Sequence, residues 1–503
     1  MSVAQTMRGY SGQMFVDGEF VASDGGRFDV IDPATEERIG EAATCTDAEV
    51  DVAVEVANRA QKAWAARNFL NRAEIMHEVA HAMRAMTNEL AEMLTRETGK
   101  PYKESADEVE WSASAIDYYA EIARHENGKV IGSNIDSQFH FTVKEPLGVA
   151  VVILPFNFPY VLMCWEAAAA LAAGNAVIVK PSDLTSLSTL HFMKAFEKLP
   201  DGLIQCLPGA GNVGQRLVAS SGTHVVCFTG GVETGVAVAK ACAETQKRCL
   251  IEASGNDPHL IMPSAPMDMA ARGASFAAYL HCGQVCVSSE RFYVHEEIHD
   301  EFVEKLIRNA ESLRIGNGLE KVDMGPMAAS RERDRFEAVV ARAREQGAKV
   351  ETGGGRPAEF NTGWFVEPTV LTGVTPDMDI LNNESFGPAA PICKVSSFDE
   401  AVALANRSRY GLGACIYTTD LDEAMRSVNE LEAGMVWVNA PLLDNDAGPF
   451  GGRKLSGQGR QLGAEGLETF RHTKLAMIDP GCKAQDFWWF PYQDAEAFPG
   501  DHS

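Results

Sequence analysis

The sequence predicts an α/β fold that contains two doubly wound parallel-sheet domains in succession. From residue 148 onward, apolar runs rich in Val and Ile alternate with helical patterns, as in GVAVVILP, WEAAAALAAG and AVIVKP. Strands that are apolar on both faces and separated by helices are typical of a parallel sheet covered on both sides. A second series of the same kind begins near residue 270 and runs to MVWVNA. The length of 503 residues also favours two or more domains.

Helical patterns precede the first series. Ala, Val, Leu and Met recur at three- and four-residue spacing over residues 47–98, which we interpret as two long helices, and EVEWSASAIDYYAEIA indicates a third. In the first series, strands and helices then alternate as far as CLIEAS and HLIM. In the second series, RFYVHEE, CIYTTD and MVWVNA predict strands, while ARGASFAAYLHC, DEFVEKLIRNAESL and DEAMRSVNEL predict helices.

Two stretches, ENGKVIGSNIDSQFHFTVKE and TKLAMIDP, have the composition of strands but fall outside both series. Strands without a neighbour need another edge to pair with, and a second subunit is one natural source. The aromatic tail KAQDFWWFPYQDAEAF is expected to dock on a surface rather than to stay in solvent.

The composition excludes several function classes. The formal net charge of −26 argues against a nucleic-acid or anionic-membrane surface, because such surfaces need clustered Lys and Arg. The first 40 residues lack a basic flank followed by an apolar core, and the longest apolar stretches are too short to span a bilayer. We therefore expect a cytoplasmic protein that binds neither nucleic acid nor membranes.

The cysteines favour one reactive thiol over a disulfide framework or a zinc site. Eleven cysteines, an odd number, are scattered over the chain. Only Cys282 and Cys286, in HCGQVCVSSER, stand close together, and a zinc site needs a second close pair of Cys or His. No metal is expected. A buried, inert cysteine is the alternative for either position.

Two glycine-rich loops lie between strands and helices of the first series. PGAGNVG contains a GxGxxG pattern over residues 209–214, and Glu233 follows 19 residues later, much as in a dinucleotide-binding fingerprint. That loop, however, follows the third strand of its series rather than the first. The second loop, FTGGVETG, precedes a helix whose N-terminus can bind a phosphate. Two ordinary turns are the alternative interpretation.

Three residues of reactive type stand at strand ends or in irregular loops. Asn157, in VVILPFNFPYVLMCWE, can donate a hydrogen bond to an oxyanion or satisfy a nearby turn. Glu252, in RCLIEASGNDP, ends an apolar strand, so it is either a general base with a raised pKa or an edge residue that faces solvent. Cys286 is a nucleophile if its thiol loses its proton. Together they supply a nucleophile, a base and an oxyanion donor on a nucleotide-binding fold.

The order of the motifs along the chain matches a known family. EPLGVAVVILPFNFP, GNAVIVKPSD, LPGAGNVG, FTGGVETG, LIEASGNDP, GQVC, NNESFGPAAPI and PFGGRKLSGQGRQLGAEGL follow one another. The sequence resembles the NAD(P)-dependent aldehyde dehydrogenase superfamily over nearly its whole length. The resemblance implies oxidation of an aldehyde to its carboxylic acid, with hydride transfer to NAD or NADP, through a cysteine thiohemiacetal and thioester. It also implies two Rossmann-like domains plus a β oligomerisation arm.

The resemblance also implies roles for residues of this sequence. Cys286 would be the nucleophile, Glu252 the general base, and Asn157 an oxyanion donor together with the Cys286 N–H. Lys180 would bind the adenosine ribose, and Glu384 the nicotinamide ribose. The full sets are Lys180, Ser182, Asp183, Gly209, Gly230, Gly231, Gly235, Glu384, Phe386 and Phe156 for the cofactor, and Phe158, Leu162, Trp165 and Phe450 for the substrate tunnel.

The same resemblance divides the chain into domains. Residues 1–123 and 148–252 would form the dinucleotide-binding domain, residues 253–455 the catalytic domain, and residues 124–147 with 456–503 the oligomerisation arm and C-terminal tail. An arm of this kind implies a homodimer or a homotetramer. The aromatic residues of the tail are expected to cap the tunnel of a neighbouring subunit; they are Trp488, Trp489, Phe490 and Tyr492.

Several positions depart from the family pattern. EASG stands in place of Glu-Leu-Gly-Gly around the base, and His281 replaces a common Asn. Asp183 occupies a position where many members carry a Glu that holds both ribose hydroxyls, so a strict preference for NAD is less expected. His472 falls about where some members carry a second tunnel carboxylate.

Two alternative functions stay open. A CoA-acylating semialdehyde dehydrogenase also carries PFNFP, but its pattern lacks the base carboxylate, so Glu252 favours hydrolysis. A non-catalytic member of the superfamily would be expected to lose its nucleophile or its base, and both are present. For the substrate, the apolar tunnel residues favour medium aliphatic or aromatic aldehydes. The lack of Arg in the tunnel segments argues against succinic semialdehyde.

Overall fold

The computed structural model describes residues 3–482, 484–485 and 489–491. The helices found there are α1 Val3–Gly9, α2 Asp47–Ala65, α3 Phe69–Ala85, α4 Thr87–Thr98, α5 Tyr102–Ile122, α6 Pro159–Ala173, α7 Ser186–Phe192, α8 Gly211–Ala219, α9 Val232–Glu244, α10 Met267–Tyr279, α11 His299–Ser312, α12 Ser330–Glu345, α13 Phe398–Asn406, α14 Leu421–Glu430 and α15 Gly463–Thr469.

The strands of the same residues are β1 Gln13–Val16, β2 Glu19–Ala22, β3 Gly26–Ile31, β4 Arg38–Thr44, β5 Val130–Ile131, β6 Phe139–Pro146, β7 Val149–Ile153, β8 Ala176–Lys180, β9 Ile204–Cys206, β10 Val225–Gly230, β11 Arg248–Ala253, β12 Asp257–Ile261, β13 Ser289–His295, β14 Lys349–Thr352, β15 Thr369–Thr372, β16 Ala389–Val395, β17 Gly413–Tyr417, β18 Met435–Val438, β19 Gly457–Gln458 and β20 Arg471–Ile478.

The first sheet has eight strands in the order β19-β11-β10-β7-β8-β9-β1-β2. Strands β7 to β11 run parallel, with Val149 opposite Ala176 and Val225 opposite Ala150. The antiparallel strands β1 and β2 close one edge, and the short β19 pairs with β11 on the other. The carboxyl ends of the parallel strands therefore lie together along one edge, where sheets of this type bind ligands.

The second sheet has seven strands in the order β14-β15-β16-β13-β12-β17-β18. All neighbours run parallel except β14, which forms an antiparallel pair with β15. α-Helices separate the successive parallel strands in both sheets, except that only the 3₁₀ helix Asp379–Leu381 lies between β15 and β16. The predicted α/β fold with two doubly wound series is confirmed.

The two stretches predicted as unattached strands pair with each other. Strand β6 runs antiparallel to β20, from Phe139 opposite Ile478 to Pro146 opposite Arg471, and β5 lies on the other side of β6. Several large apolar side chains of this small sheet are exposed, namely Val130, Ile131, Phe139, Leu475, Met477 and Ile478. Three strands thus present unburied apolar surface to the outside of the subunit.

The prediction of two long helices over residues 47–98 is wrong, because the segment contains α2, α3 and α4. The first break is capped by Asn68, whose side chain accepts a hydrogen bond from the Asn71 N–H at 2.9 Å. The second break falls at Met86, where φ is −100° and ψ is 5°. Apolar residues recur at helical spacing from Met83 through Met86 to Leu90, so the periodicity continues across this break and does not reveal it.

Helix α6, which follows β7, is buried along its entire length. It packs against α5 and against the first sheet, so the Ala-rich stretch of the sequence is a core helix. None of the helices in the described part of the chain is long and apolar enough to cross a membrane.

Candidate active site

The reactive residues meet at the carboxyl edge of the first sheet. Glu252 is the last residue but one of β11 and lies opposite Thr229 of β10. Asn157 follows β7, the neighbour of β10 on the other side. Cys286 comes from the loop between α10 and β13 and reaches the same edge. Residues that are distant in the sequence therefore converge at one point of the fold.

The loop that carries Cys286 begins with an unusual backbone. His281, Cys282 and Gly283 adopt positive φ in succession, at 47°, 56° and 71°. A side chain on Gly283 would overlap the backbone of Gly387, so this position requires glycine. The left-handed turn redirects the chain after α10 and leaves Cys286 partly buried. Cys282 is fully buried, with its Sγ 3.5 Å from the Met327 Sδ.

Cys286 and Glu252 line the same cavity, and each affects the pKa of the other. Burial raises the pKa of the Cys286 thiol well above its usual value, and the charge of Glu252 raises it further. Burial also raises the pKa of Glu252 to about 7, although Cys286 and Thr229 act to lower it. The thiol is therefore protonated at neutral pH, and Glu252 is the carboxyl group placed to accept its proton. Glu252 is only 1% exposed, so the alternative of an edge residue facing solvent is wrong.

Asn157 is buried beside this pair. Its Nδ2 donates to the backbone oxygen of Gln284 at 3.0 Å, and its Oδ1 has no hydrogen-bond partner within the described chain. Gln284 is 127 positions away in sequence, so the amide does not satisfy a local turn. One N–H of the amide is left for another acceptor.

A buried ion pair supports Asn157 from behind. Lys100 Nζ donates at 2.5 Å both to the Glu108 carboxylate and to the backbone oxygen of Asn157. The other oxygen of Glu108 accepts from the N–H groups of Tyr160 at 2.8 Å and Val161 at 3.3 Å. These are orphan donors of the first turn of α6, which has no side-chain cap of its own. Sequence analysis missed both charged residues, because their position on α5 and its approach looked like an ordinary solvated face.

A cavity of about 940 Å³ extends from Cys286 along the carboxyl edge of the first sheet. Asn157, Glu252 and Cys286 all line it. Of the residues predicted to contact a cofactor, eight also line it, namely Phe156, Lys180, Ser182, Asp183, Gly230, Gly231, Glu384 and Phe386.

Two predicted cofactor residues do not line the cavity. A side chain on Gly209 would overlap Val213, and a side chain on Gly235 would press against Ile251 and Phe228. Both glycines allow close packing of a loop or helix instead of approaching the open space. Two neighbouring glycines, Gly211 and Gly214, line the cavity instead of Gly209.

The cavity walls fit a dinucleotide. Helices α8 and α9 both begin at this cavity, and their N-caps, Ala210 and Gly231, provide no side-chain cap. A side chain on Gly211 or Gly231 would meet no atom within 4 Å, so the backbone there is open to a ligand. Free N–H groups at helix N-termini favour phosphate oxygens. The Glu384 carboxylate, which accepts from the Gly255 N–H at 3.1 Å, supplies an acceptor of the kind that sugar hydroxyls need.

Basic residues on the opposite wall were missed by sequence analysis. Arg331 and Arg335, on α12, line the cavity. Arg331 Nη1 lies 3.2 Å from Asp183 Oδ2, and the Arg335 guanidinium lies 6.0 Å from the centre of the Phe386 ring. The sequence SRERDRFEAVVARARE is typical of a solvated helix and carries no local sign of a binding role.

The four predicted tunnel residues lie in a buried apolar cluster against which Cys286 packs. The rings of Trp165 and Phe450 are 4.9 Å apart, and those of Phe158 and His281 are 5.6 Å apart. Leu162 is buried with them on α6. None of the four lines the 940 Å³ cavity, so the thiol lies between that cavity and the apolar cluster.

Comparison with known proteins agrees with this arrangement. Residues 20–476 match the model of the aldehyde dehydrogenase family. The chain belongs to this family. It is therefore an oxidoreductase that converts an aldehyde to its carboxylic acid.

Curated relatives of this aldehyde dehydrogenase span nearly its whole length. It is 33% identical to the betaine aldehyde dehydrogenase of Bacillus subtilis, covering 93% of this chain and 98% of the relative. It is 36% identical to the 3-sulfolactaldehyde dehydrogenase of Pseudomonas putida, covering 93% and 96%. A solved betaine aldehyde dehydrogenase of Staphylococcus aureus, in complex with NAD+, is 32% identical, with a TM-score of 0.92 over 96% of this chain and 98% of that one. A solved 3,6-anhydro-L-galactose dehydrogenase in complex with NADP is 35% identical, with a TM-score of 0.90 over 93% and 100%.

One acidic residue near the thiol of this aldehyde dehydrogenase was not found from the sequence. Asp444, on the loop between β18 and Phe450, is close enough for its charge to raise the pKa of both Glu252 and Cys286. The Asp444 side chain is exposed on its loop, and the neighbouring protein raises the pKa of its carboxyl group to about 7. The loop is held by a 2.5 Å hydrogen bond from Ser114 Oγ to Asp446. LLDNDAG resembles a turn, so it gave no signal of proximity to the thiol.

A second carboxyl group near the base comes from α6. The prediction that His472 occupies a tunnel position is wrong, because His472 is exposed on β20, opposite Glu145. Glu166, in contrast, is buried and accepts a hydrogen bond from Gln461 Nε2 at 2.7 Å. Burial raises its pKa to about 8, and the charge of Glu252 contributes to that rise. Because it is protonated at neutral pH, it adds no second negative charge beside the base.

Proposed function

We propose that Cys286, Glu252 and Asn157 carry out the oxidation as nucleophile, general base and oxyanion donor, and that water releases the product. The observation that carries this proposal is that Cys286, the buried Glu252 and Asn157 line one cavity, in which Cys286 and Glu252 affect each other's pKa. A nucleophile in contact with its base is the usual arrangement for covalent catalysis.

Each residue has one task in this scheme. Glu252 takes the proton of Cys286, and the thiolate attacks the aldehyde carbon. Asn157 Nδ2 and the Cys286 N–H, which no described residue engages, donate to the developing oxyanion. NAD(P), when bound, accepts the hydride that leaves the thiohemiacetal carbon. Glu252 next releases the proton taken from Cys286 to solvent, and it then takes a proton from the water that attacks the thioester. The C–S bond breaks, the acid departs, and Cys286 is left as the thiolate, which takes a proton back from Glu252.

The cofactor proposed for this cavity is NAD, with NADP also accepted. Solved relatives hold NAD+ in one case and NADP in another. Eight residues that line the cavity are proposed as contacts, with phosphates at the N-termini of α8 and α9 and hydroxyls at Glu384. Asp183 shares its carboxylate with Arg331, so it does not stand as an unpaired negative charge against a 2′-phosphate. This pairing supports the use of both cofactors.

Hydrolysis is favoured over transfer to CoA. A deacylating water needs a base within reach of the thioester, and Glu252 meets the thiol directly. A non-catalytic role is disfavoured because nucleophile, base and amide donor converge on one cavity.

For the substrate, we propose a medium-sized aliphatic or aromatic aldehyde without an anionic group. The apolar cluster of Phe158, Leu162, Trp165 and Phe450 supplies the wall of the tunnel. Asp444, when ionised, is near enough to raise the pKa of the Cys286 thiol, and the same negative charge would repel a carboxylated or sulfonated aldehyde. The substrate named for the Pseudomonas putida relative, 3-sulfolactaldehyde, therefore fits this chain poorly.

We also propose the division into domains predicted from the sequence, a cytoplasmic location, and assembly into a homodimer or homotetramer. The exposed apolar side chains of β5, β6 and β20 support assembly, since unburied surface of this kind usually marks an interface. The proposed capping of a neighbour's tunnel falls partly outside the described residues, which include Trp489 and Phe490 but not Trp488 or Tyr492.

Reduced-cofactor absorbance tests the proposal. The wild type is given aliphatic, aromatic, hydroxylated and carboxylated aldehydes with NAD or NADP, with and without CoA, and Cys286→Ala is run beside it. We expect turnover without CoA, highest with apolar aldehydes, and none for the variant. Turnover that requires CoA, or a preference for carboxylated aldehydes, would contradict the proposal.

A further inference from the structure

Two cysteines away from the active site form a second thiol pair. Cys242 lies near the end of α9, and Cys249 follows on β11 after a short turn. Cys249 packs against the core cluster that contains Cys242, and the two thiols lie close enough to shift each other's pKa. Cys242 is fully buried, whereas Cys249 is partly exposed. All eleven cysteines of the chain are free thiols, so this contact is not a disulfide in the structure.

The surroundings of the pair distinguish the two sulfurs. Gln458 Nε2, on β19, donates to the Cys249 Sγ at 3.0 Å. The neighbouring Cys242 lowers the pKa of Cys249, whereas the pKa of Cys242 is raised. Of the two thiols, Cys249 is therefore the one that ionises first. A thiolate that is partly exposed and held by donors is the reactive form of cysteine.

Seven other thiols in the described part of the chain provide the contrast. Burial raises the pKa of Cys45, Cys164, Cys206, Cys227, Cys282, Cys393 and Cys415. In none of these seven does a neighbouring thiol lower the pKa. Cys249 is thus distinguished by geometry as well as by its acidity.

We propose that Cys249 is a modification site, which a hydroperoxide oxidises and which Cys242 then converts to an intramolecular disulfide. In the first step the Cys249 sulfur attacks one peroxide oxygen, the O–O bond breaks, and the leaving oxygen takes up a proton as water or an alcohol. In the second step the Cys242 sulfur attacks the sulfenic acid, the S–O bond breaks, and water leaves. The two thiols lose two electrons in total, and the peroxide gains them.

The position of the pair connects this modification to the cofactor cavity. Val238 and Ala241 of α9 line the cavity, and Cys242 is the next residue along the helix. Cys249 is the second residue of β11, and Glu252 is the last residue but one of the same strand. A covalent link between Cys242 and Cys249 therefore ties together the C-terminal part of α9 and the start of β11, on the side of the cavity remote from Cys286.

Peptide mapping tests the proposal without relying on activity. Cys286→Ala protein, in which the catalytic thiol cannot react, is treated with hydrogen peroxide, alkylated and digested with trypsin. Trypsin cuts after Lys240, Lys247, Arg248 and Arg272, so Cys242 and Cys249 fall in the separate peptides 241–247 and 249–272. We expect these peptides joined, at a mass two hydrogen atoms below their sum, and released by a reductant.

Two serine variants separate the roles of the thiols. In Cys242→Ser, Cys249 should stop at the sulfenic acid and react with dimedone. In Cys249→Ser, Cys242 should remain reduced because it is buried. Circular dichroism and thermal melting test whether both variants are folded. If a variant does not fold, the Cys286→Ala protein, which keeps Cys242 and Cys249, still shows whether the disulfide forms.

Two outcomes would overturn the proposal. In one, both peptides are fully alkylated, so both thiols are still reduced, at a peroxide concentration that oxidises the exposed Cys482. The other is a disulfide from Cys249 to any partner except Cys242, including Cys249 of a second chain, because the structure assigns the resolving role to Cys242.

Discussion

At Cys286, the proposed nucleophile, a thiol and the carboxyl group of Glu252 line one cavity. Burial raises the pKa of both groups, and each opposes ionisation of the other. Without a ligand the thiol is therefore protected against reaction, although Cys286 borders a large cavity. Ionisation needs compensation from the bound cofactor and from the oxyanion donors.

Glu252→Gln should separate the two halves of the reaction. The amide cannot accept a proton from water, so deacylation should slow by roughly 10²–10⁴-fold, the usual contribution of a general base. Stopped-flow absorbance should show a slow burst of reduced cofactor that approaches one equivalent, followed by little turnover. Cys286→Ala serves as control and should give no burst. A steady-state rate equal to that of the wild type would remove Glu252 from the mechanism.

The pH dependence of turnover should report the Glu252 carboxyl group. Because its pKa is about 7, the base form is present above this pH, and the rate should fall as pH drops through it. In Asp444→Asn a negative charge near Glu252 is lost, so the pKa of Glu252 should decrease and the acid limb should move to lower pH.

Asp446→Asn provides a matched control on the same loop, since Asp446 acts on Asp444 rather than on Glu252 itself. Its acid limb should move less than that of Asp444→Asn. Steady-state rates from pH 5 to 9, with stability checked at each pH, decide the question. An unmoved limb in Asp444→Asn would show that Asp444 does not act on the base.

Sequence analysis predicted the reactive residues but not the charges that tune them. Cys286, Glu252 and Asn157 stand in short motifs whose local pattern is informative. Asp444 and Glu166 act through space, and their effect depends on distances set by the whole fold. Asp444 lies in the turn-like sequence LLDNDAG, and Glu166 lies in an Ala-rich helix pattern.

At the scale of elements, the N-terminus of α6 connects stability to catalysis. Glu108 supplies the missing cap of that helix, and Lys100 joins Glu108 to the backbone of Asn157. Both side chains are completely buried. The position of the oxyanion donor therefore depends on a charge pair that contacts no substrate.

Glu108→Gln should lower both stability and rate. The change leaves the buried Lys100 ammonium without its counter-ion, and removal of one partner of such a pair costs about 3–5 kcal/mol. We expect a matching decrease in the free energy of unfolding, measured with urea, and a lower kcat with a smaller change in the KM for the aldehyde. The decrease in kcat would arise because Asn157 loses its support.

The double variant Lys100→Met/Glu108→Leu is the control. It removes both charges, so it should recover much of the stability but not the rate, because α6 and Asn157 still lack their hydrogen bonds. Recovery of both properties would show that the pair has no positioning role.

The helical segment over residues 47–98 shows a limit of periodicity at this scale. An apolar stripe that continues across Met86 does not predict a change of helix direction. The cap at Asn68 carries a usable signal, since Asn is favoured at N-caps. The second break has no side-chain cap and was not predictable from its residues.

At the scale of the whole molecule, the sheet of β5, β6 and β20 provides the proposed contact between subunits. Leu475 and Met477 are two apart on β20, so they lie on the same face, and both are more than half exposed. Leu475→Glu/Met477→Glu should place two charges in the interface and give a smaller species in sedimentation velocity experiments.

Leu70→Glu is a suitable comparison, because Leu70 is similarly exposed but lies on α3. It should sediment like the wild type. If the double variant keeps the sedimentation coefficient of the wild type, this sheet is not the interface.

Alternating strands and helices predicted both parallel sheets. The same pattern could not place β1, β2 and β19 in the first sheet. These strands are short, and their partners are distant in sequence: Phe15 lies opposite Cys206, and Gln458 opposite Ile251. Which edge such a strand joins is decided by the assembled sheet.

The ion pair between Asp183 and Arg331 has a consequence for the effect of salt. It joins the loop after β8 to α12 across the cofactor cavity, and both side chains are about half exposed. Dissolved ions screen such a pair over a Debye length of about 8 Å at physiological ionic strength. The same ions screen the net charge of −26, which repels an anionic dinucleotide. Salt therefore weakens the ion pair between Asp183 and Arg331, and it also reduces the repulsion between the protein and the cofactor. Because these two effects oppose each other, we expect cofactor affinity to reach its maximum at an intermediate ionic strength.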